Sequence, residues 1–465
     1  MTATDAPIRS GKPNYLKLTE DFDFFRLFRL IEKKYDNCFL LESLGEESNV
    51  SRHHVIGFDP VKIISAPNPG TLQTMDTATG QCQTESVHNP YFELRRFVPN
   101  VISRSYAGGL VGYLAYDAIN LFEPGLQVQD SDAFETFKFG LFLDGLIYDH
   151  VTGEIFYYYY DTCRFDEIQQ LMGSEPDDFG KLEVEFLGHS MDRQAHAATV
   201  KKVKDDIVAG RLLQCEVGMR SDYRIEGDTL RIYERLRSVN PSPHMYYLKF
   251  GAQKIIGASP ELLFRMRGGQ METFPLAGTE RRGQSAAEDV QLARSLLNDP
   301  KEIAEHNMLV DLHRNDIGKV ARIGSVRVRS LMDVKRFSHV QHISSEIVGM
   351  VADGEDMFSA LSANFPAGTL TGAPKIEAIK VINELESSPR GPYGGALGQF
   401  SMNGDCAFAI PIRSVFIHGN LGYVQTCGGI VYDSVADNEY REIERKLSAM
   451  KNVLMEFSGS PTCVS

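Results

Sequence analysis

Two pairs of carboxylates have the type and spacing to do chemistry together. Glu302 and Glu305 stand three apart behind Asp299-Pro300, an N-cap acceptor followed by a proline at the first helical position, so both fall on one face of a helix. Glu439 and Glu442 repeat that spacing near the other end of the chain, with Lys446 one turn further on. Tyr440, Ile443, Leu447, Met450, Leu454 and Phe457 recur at steps of three and four beside them, the stripe of an amphipathic helix whose edge the carboxylates line. Each pair alone has an ordinary explanation, since Glu302 can close a capping box and Glu442 can pair with Lys446. Together, four carboxylates in a chain of net charge -14 repel unless a cation lies between them. Oxygen donors suit Mg2+, and no Cys or His pair stands at zinc-ligand spacing.

The elements that must position these groups are those of an α/β (α+β) chain of 465 residues, 43% hydrophobic and 24% charged. The acidic balance argues against a nucleic-acid footprint. Seven scattered cysteines without CxxC spacing read as reduced thiols in a cytoplasmic protein. Met1 to Lys12 are polar with no apolar run after them, and no uncharged stretch reaches spanning length, so neither a secretory leader nor a membrane span is expected.

Phe22 to Tyr35 has helical apolar spacing, while Cys38 to Leu41 and Val55 to Phe58 read as buried strands. Lys138 to Asp161 reads as a hairpin turning at Asp149 to Gly153, with Tyr157 to Tyr160 buried on both faces. Residues 172 to 194 form the best linker candidate, and a helix through Val200, Val203 and Ile207 ends at Gly210. Gly368 to Lys375 has the composition of a phosphate loop without its order, which leaves an anion-contacting turn.

Taken in order, Pro275 to Gly283, the Glu302/Glu305 helix with His306 to Asp316, Ser338 to His342, Gly368 to Lys375, Pro392 to Gly395, and Glu439/Glu442/Lys446 resemble the chorismate-utilising enzymes. The set is most similar to the synthase subunit, component I, of anthranilate synthase, densely over about 195 to 455 and more loosely before. The resemblance implies a chorismate-binding fold of two packed β-sheets with helices outside. Residues 1–190 would form the N-terminal region with a tryptophan-binding strand, and 191–465 the catalytic region.

The resemblance also implies roles. Glu305 and Glu442 would ligate magnesium directly, with Glu302 and Glu439 acting through waters. Gln214, Ala277, Gly278, Thr279, Tyr393, Arg413, Gly428, Gly429 and Lys446 would surround chorismate. Glu261 matches the general acid that protonates the departing 4-hydroxyl, and His342 the histidine of pyruvate elimination, with Thr279 beside them. Related isochorismate synthases carry a water-activating lysine where this chain has Gln214, and an amide cannot take a proton from water, so ammonia is the expected nucleophile. Ala277 replaces the lysine that forms a covalent intermediate in aminodeoxychorismate synthases.

Glu42 and Ser43, with Pro243, His244 and Met245, resemble the family's tryptophan feedback pocket, with His244 in place of a tyrosine. No GxCxG amidotransferase segment is present, so ammonia comes from solution or from a separate glutamine amidotransferase subunit in a hetero-oligomer. Two other outcomes stay open on the residues: release of 2-amino-2-deoxyisochorismate without pyruvate elimination, and a non-catalytic tryptophan-binding or scaffolding homologue.

Overall fold

The computed structural model describes residues 11–19, 22–44, 53–103, 106–336 and 340–459. Ser338, His339 and Cys463 lie outside them. Among the described residues, two antiparallel sheets of twelve strands each form the body. The centre of the first sheet runs Asn37–Glu42, His244–Phe250, Gln253–Ser259, Ser414–His418, Leu421–Ile430, Gln214–Gly227. The second places Leu276–Arg281 at one edge, beside Val340–Met350, and runs through Gln270–Thr273 and Leu262–Arg267 to Cys406–Ala409 and beyond. Both sheets take strands from before and after residue 190, because hairpins of the first third pair with later ones: Met245 lies opposite Glu42, and Gln399 opposite Val111.

Alternation along each strand explains the apolar runs. Phe39 points into the core between the sheets, where its ring meets Phe142 of the other sheet at 4.8 Å, while Cys38 and Leu40 point outward. The outward face is covered by the helices Phe24–Lys34, Leu230–Val239 and Ala436–Met455. The last of these buries Ile443, Leu447, Met450 and Leu454 from the expected stripe. The helices Arg193–Val208 and Lys375–Leu385 bury a separate cluster against Cys215 and Val217.

Two segments differ from the sequence expectation. Phe137–Phe142 belongs to the second sheet, and the hairpin is Asp144–Asp149 with Glu154–Tyr159 in the first, so the chain changes sheets near Leu143. One continuous apolar run hides such a crossing because both strands are buried. The expected linker contains the edge strand Leu182–His189, in which Leu182 and Val184 are buried and Glu183 and Glu185 exposed. That period of two was masked by the Gly-Ser-Pro-Asp composition before it.

A buried ion pair ties the segment after the Lys375–Leu385 helix to the first sheet. Arg390 is 3% exposed and bonds both oxygens of Glu386 at 2.6 and 2.9 Å. It also donates to the carbonyls of Leu370 at 2.6 Å and Glu216 at 2.7 Å, and Glu386 accepts from Gly218 N at 2.7 Å. Removing one partner leaves an uncompensated charge inside. Arg390→Met is expected to cost about 3–5 kcal/mol, read as a lowered urea midpoint, and Arg390→Met with Glu386→Met to recover most of it. A midpoint unchanged in the single variant would contradict this clamp.

Candidate active site

The helix Pro300–Gly318 starts as its sequence demands, with Asp299 accepting from the backbone N–H of Lys301 at 2.8 Å and of Glu302 at 3.3 Å. The Glu302 carboxylate reaches toward the neighbouring Leu276–Arg281 strand. A Cβ added to Gly278 would lie 2.9 Å from Glu302 Oε2, and Gly278 has a φ of +65° at a register shift between Ala277 and Thr279. Glycine is therefore favoured there by the backbone, and a side chain would displace the Glu302 carboxylate. Ala277 is buried opposite Ile343, and Thr279 lies opposite His342.

The bulge also sets the histidine. His342 Nδ1 lies 2.9 Å from the Gly278 carbonyl, which can only accept, so Nδ1 carries the proton and Nε2 the lone pair. Burial pushes the imidazole down to about 4, with the Arg413 charge adding to it, so it is neutral at pH 7.

Glu261 follows the strand Gln253–Ser259. Its backbone N–H donates to Ser259 Oγ at 3.2 Å, and its side chain accepts from the Thr369 hydroxyl at 2.8 Å. Burial pushes this carboxyl up to about 7, against the Thr369 hydrogen bond and the Arg413 charge. A buried carboxylic acid that keeps its proton near neutrality is the usual equipment of a general acid. Arg413 itself sits in the left-handed region at φ 50°, and its carbonyl accepts from Ala258 N at 3.2 Å.

The third group comes from the first sheet. Gln214 and Glu216 share one face of the strand Gln214–Gly227, and Glu216 pairs with Gly429 and Val217 with Gly428. Gln214 Nε2 donates to Glu216 Oε1 at 2.9 Å and reaches Glu305 Oε1 at 3.5 Å. A Cβ on Gly429 would come within 2.5 Å of Glu216 Oε1 and 2.6 Å of Gln214 Nε2, so the bare backbone makes room for both side chains. Gly428 serves the other face, against Ile443 of the Ala436–Met455 helix. From that helix Lys446 pairs with Glu442 at 2.9 Å and donates to the Cys427 carbonyl at 3.1 Å. Tyr393 is buried, with the Arg390 guanidinium 5.7 Å from its ring centre.

Glu302 and Glu439 are both raised, first by burial and then by neighbouring carboxylates that include Glu442 in each case. At Glu442 burial is outweighed by Lys446, and the net shift is downward. Among the described residues no three His, Cys, Asp or Glu side chains converge at metal-binding distances. The donor set is nonetheless wholly carboxylate oxygen, with residual repulsion between the two helices, and fits a hard cation that retains waters.

The five residues of the expected inhibitor pocket adjoin. Leu44 N donates to the Ser242 carbonyl at 2.9 Å beside Ser43 and Pro243, and His244 lies opposite Ser259. Glu42 is buried and accepts from Tyr233 OH at 2.8 Å and Arg237 Nε at 2.9 Å. Of the five only Glu42 lines the neighbouring cavity of about 550 Å3, which is walled by Phe22, Phe25, His54, Tyr148 and Arg237 among others; Ser43, Pro243, His244 and Met245 do not reach it.

Sequence reasoning missed Glu216, Thr369 and the Arg390–Glu386 clamp. Glu216 carried a signal: two polar residues at a spacing of two, Gln214 and Glu216, interleaved with Cys215 and Val217, put a polar face on an otherwise buried strand.

A family model described as chorismate binding enzyme matches residues 36–452. The chain is 50% identical to anthranilate synthase component 1 of Leptospira biflexa over 96% of its own length and 97% of the relative's. It is 43% identical to the protein of the same description from Methanothermobacter thermautotrophicus, over 94% and 92%. The crystal structure of anthranilate synthase component I from Streptococcus pneumoniae superposes with a TM-score of 0.76 at 32% identity, covering 87% of this chain and 93% of that one. With the two antiparallel sheets and these matches along nearly its whole length, the chain belongs to the chorismate-binding enzymes.

Proposed function

We propose that the chain converts chorismate and ammonia to anthranilate, pyruvate and water in the cytoplasm, as the first component of an anthranilate synthase whose ammonia is supplied from glutamine by a separate amidotransferase subunit. The observation that carries this reading is the pairing of Glu261, a buried acid raised to about 7, with His342, a neutral imidazole whose Nε2 holds the lone pair. Two proton transfers of opposite sense are needed, and the site has one group suited to each.

In the first step the ammonia nitrogen bonds to ring carbon 2, the ring double bonds shift, and the C4–oxygen bond breaks. Glu261 donates the proton that lets hydroxide leave as water. In the second, His342 Nε2 takes the proton from carbon 2, the ether bond breaks with its electron pair on oxygen, and the departing enolate takes a proton at its methylene carbon to become pyruvate as the ring turns aromatic. Arg413, Lys446 and the bare backbone of Gly428 and Gly429 would grip the substrate carboxylates, with Thr279 and Tyr393 alongside. Glu305 and Glu442 would hold Mg2+, with Glu302 and Glu439 acting through its waters, and the ion when bound supplies positive charge that fixes a ring carboxylate.

Tryptophan would act at Glu42, Ser43, Pro243, His244 and Met245. His244 pairs in register with Ser259, whose hydroxyl accepts from Glu261 N. A ligand that displaces the His244 strand thus has a two-residue route to the general acid, and inhibition requires that it bind the two arrangements unequally.

Glu261→Gln is expected to lower the rate of chorismate consumption by about 10²–10⁴-fold while chorismate still binds. A loss below tenfold would remove the acid role. At constant free ammonia, kcat/KM for chorismate should fall as pH rises through about 7, because the acid must carry its proton to act, and a profile rising through that range would oppose the assignment. His342→Ala should keep amination but release 2-amino-2-deoxyisochorismate in place of pyruvate, resolved by chromatography. Pyruvate formed at the unaltered rate would take the histidine out of the mechanism.

A further inference from the structure

The strand Gln214–Gly227 presents a site of acceptors with too few donors. Gln214 and Glu216 are 4% and 7% exposed, two positions apart on one face. The Gln214 amide is oriented by its two carboxylate neighbours: Nε2 lies 2.9 Å from Glu216 Oε1 and 3.5 Å from Glu305 Oε1. Its carbonyl oxygen is thereby turned away from them and has no hydrogen-bond partner among the described residues. A buried acceptor without a partner is destabilising, so its retention asks for a donor that arrives with a ligand. Glu216 adds a second acceptor, its Oε1 lying 2.5 Å from where a Cβ on Gly429 would stand.

We propose that Glu216 and Gln214 Oε1 together form the binding site for the nitrogen nucleophile, with Glu216 as an additional residue that touches it; this rests on the anthranilate-forming reading above. Ammonia is a small molecule with three N–H donors and one lone pair. Two acceptors that each take one N–H leave the lone pair directed away from them, toward whatever lies across the site. Water could satisfy the same acceptors, but it carries only two donors and would use both of them there. A carboxylate also accepts an N–H of ammonia more strongly than a neutral acceptor does. Burial raises the Glu216 carboxyl to about 7, with Glu305 adding to the rise and Lys446, the Cys427 thiol and the Gln214 amide opposing it.

Initial rates with ammonium chloride varied at saturating chorismate and magnesium, and then with chorismate varied at saturating ammonium, test this. Glu216→Gln keeps the shape and removes the charge. It should raise the KM for ammonium at least tenfold and leave the KM for chorismate within twofold. Glu216→Asp, which keeps the charge on a shorter arm, should fall between Gln and wild type. An ammonium KM unchanged in both variants, or both KM values rising together, would overturn the proposal in favour of a merely structural carboxylate. If Glu216→Gln does not fold, the Asp variant alone decides by the same ratio. Wild type that makes anthranilate while the variants show no selective ammonium effect sinks only this inference, whereas wild type that makes none from chorismate and ammonium sinks the functional reading and this inference with it.

Discussion

Carboxylates repel one another, and this acidic chain gathers Glu216, Glu261, Glu302, Glu305, Glu439 and Glu442 about one site. Most of the local architecture compensates for that. Lys446 stands against Glu442 and acts on Glu216, and Arg413 acts on Glu261. Where the cation does not offset burial the carboxyl stays raised, at Glu216 and Glu261 to about 7. The same crowding that would destabilise an idle protein keeps one carboxyl protonated near neutrality and, on the proposed reading, suits the others to a cation.

Holding such groups in place requires rigid backbone, and the two sheets supply it from different directions. The first brings Gln214, Glu216, Gly428 and Gly429, and leads into Glu261. The second brings the Gly278 bulge and His342. The two glutamate pairs come from helices, one packed against the edge strand Leu276–Arg281 and one against Leu421–Ile430 inside the first sheet. Because the site draws on so many elements, its geometry depends on the apolar core between the sheets and on clamps such as Arg390–Glu386.

Much of this could be read from the chain itself. The Asp299-Pro300 start, the three-residue spacing of both glutamate pairs and the stripe beside the second are local signals, and local signals fix helix faces. What could not be read was mostly non-local. That Phe137–Phe142 leaves the hairpin for the other sheet depends on which faces become buried, and a strand apolar on both faces does not say which neighbour it will take. Thr369 reaches Glu261 from 108 positions away, a pairing that no spacing rule can reach. Glu216 was missed for a different reason: a lone glutamate in a buried strand reads as an ordinary paired group, and its meaning lies in Gln214, Gly429 and Lys446 around it.

What the unmodified chain makes from chorismate is decisive. Anthranilate fluorescence and pyruvate release, followed in one sample of the purified chain with chorismate, ammonium and magnesium, test it most directly. Equal amounts of both products, lost together when magnesium is chelated and restored when it is returned, are expected. Chorismate left intact, or consumed with neither product formed, would contradict it.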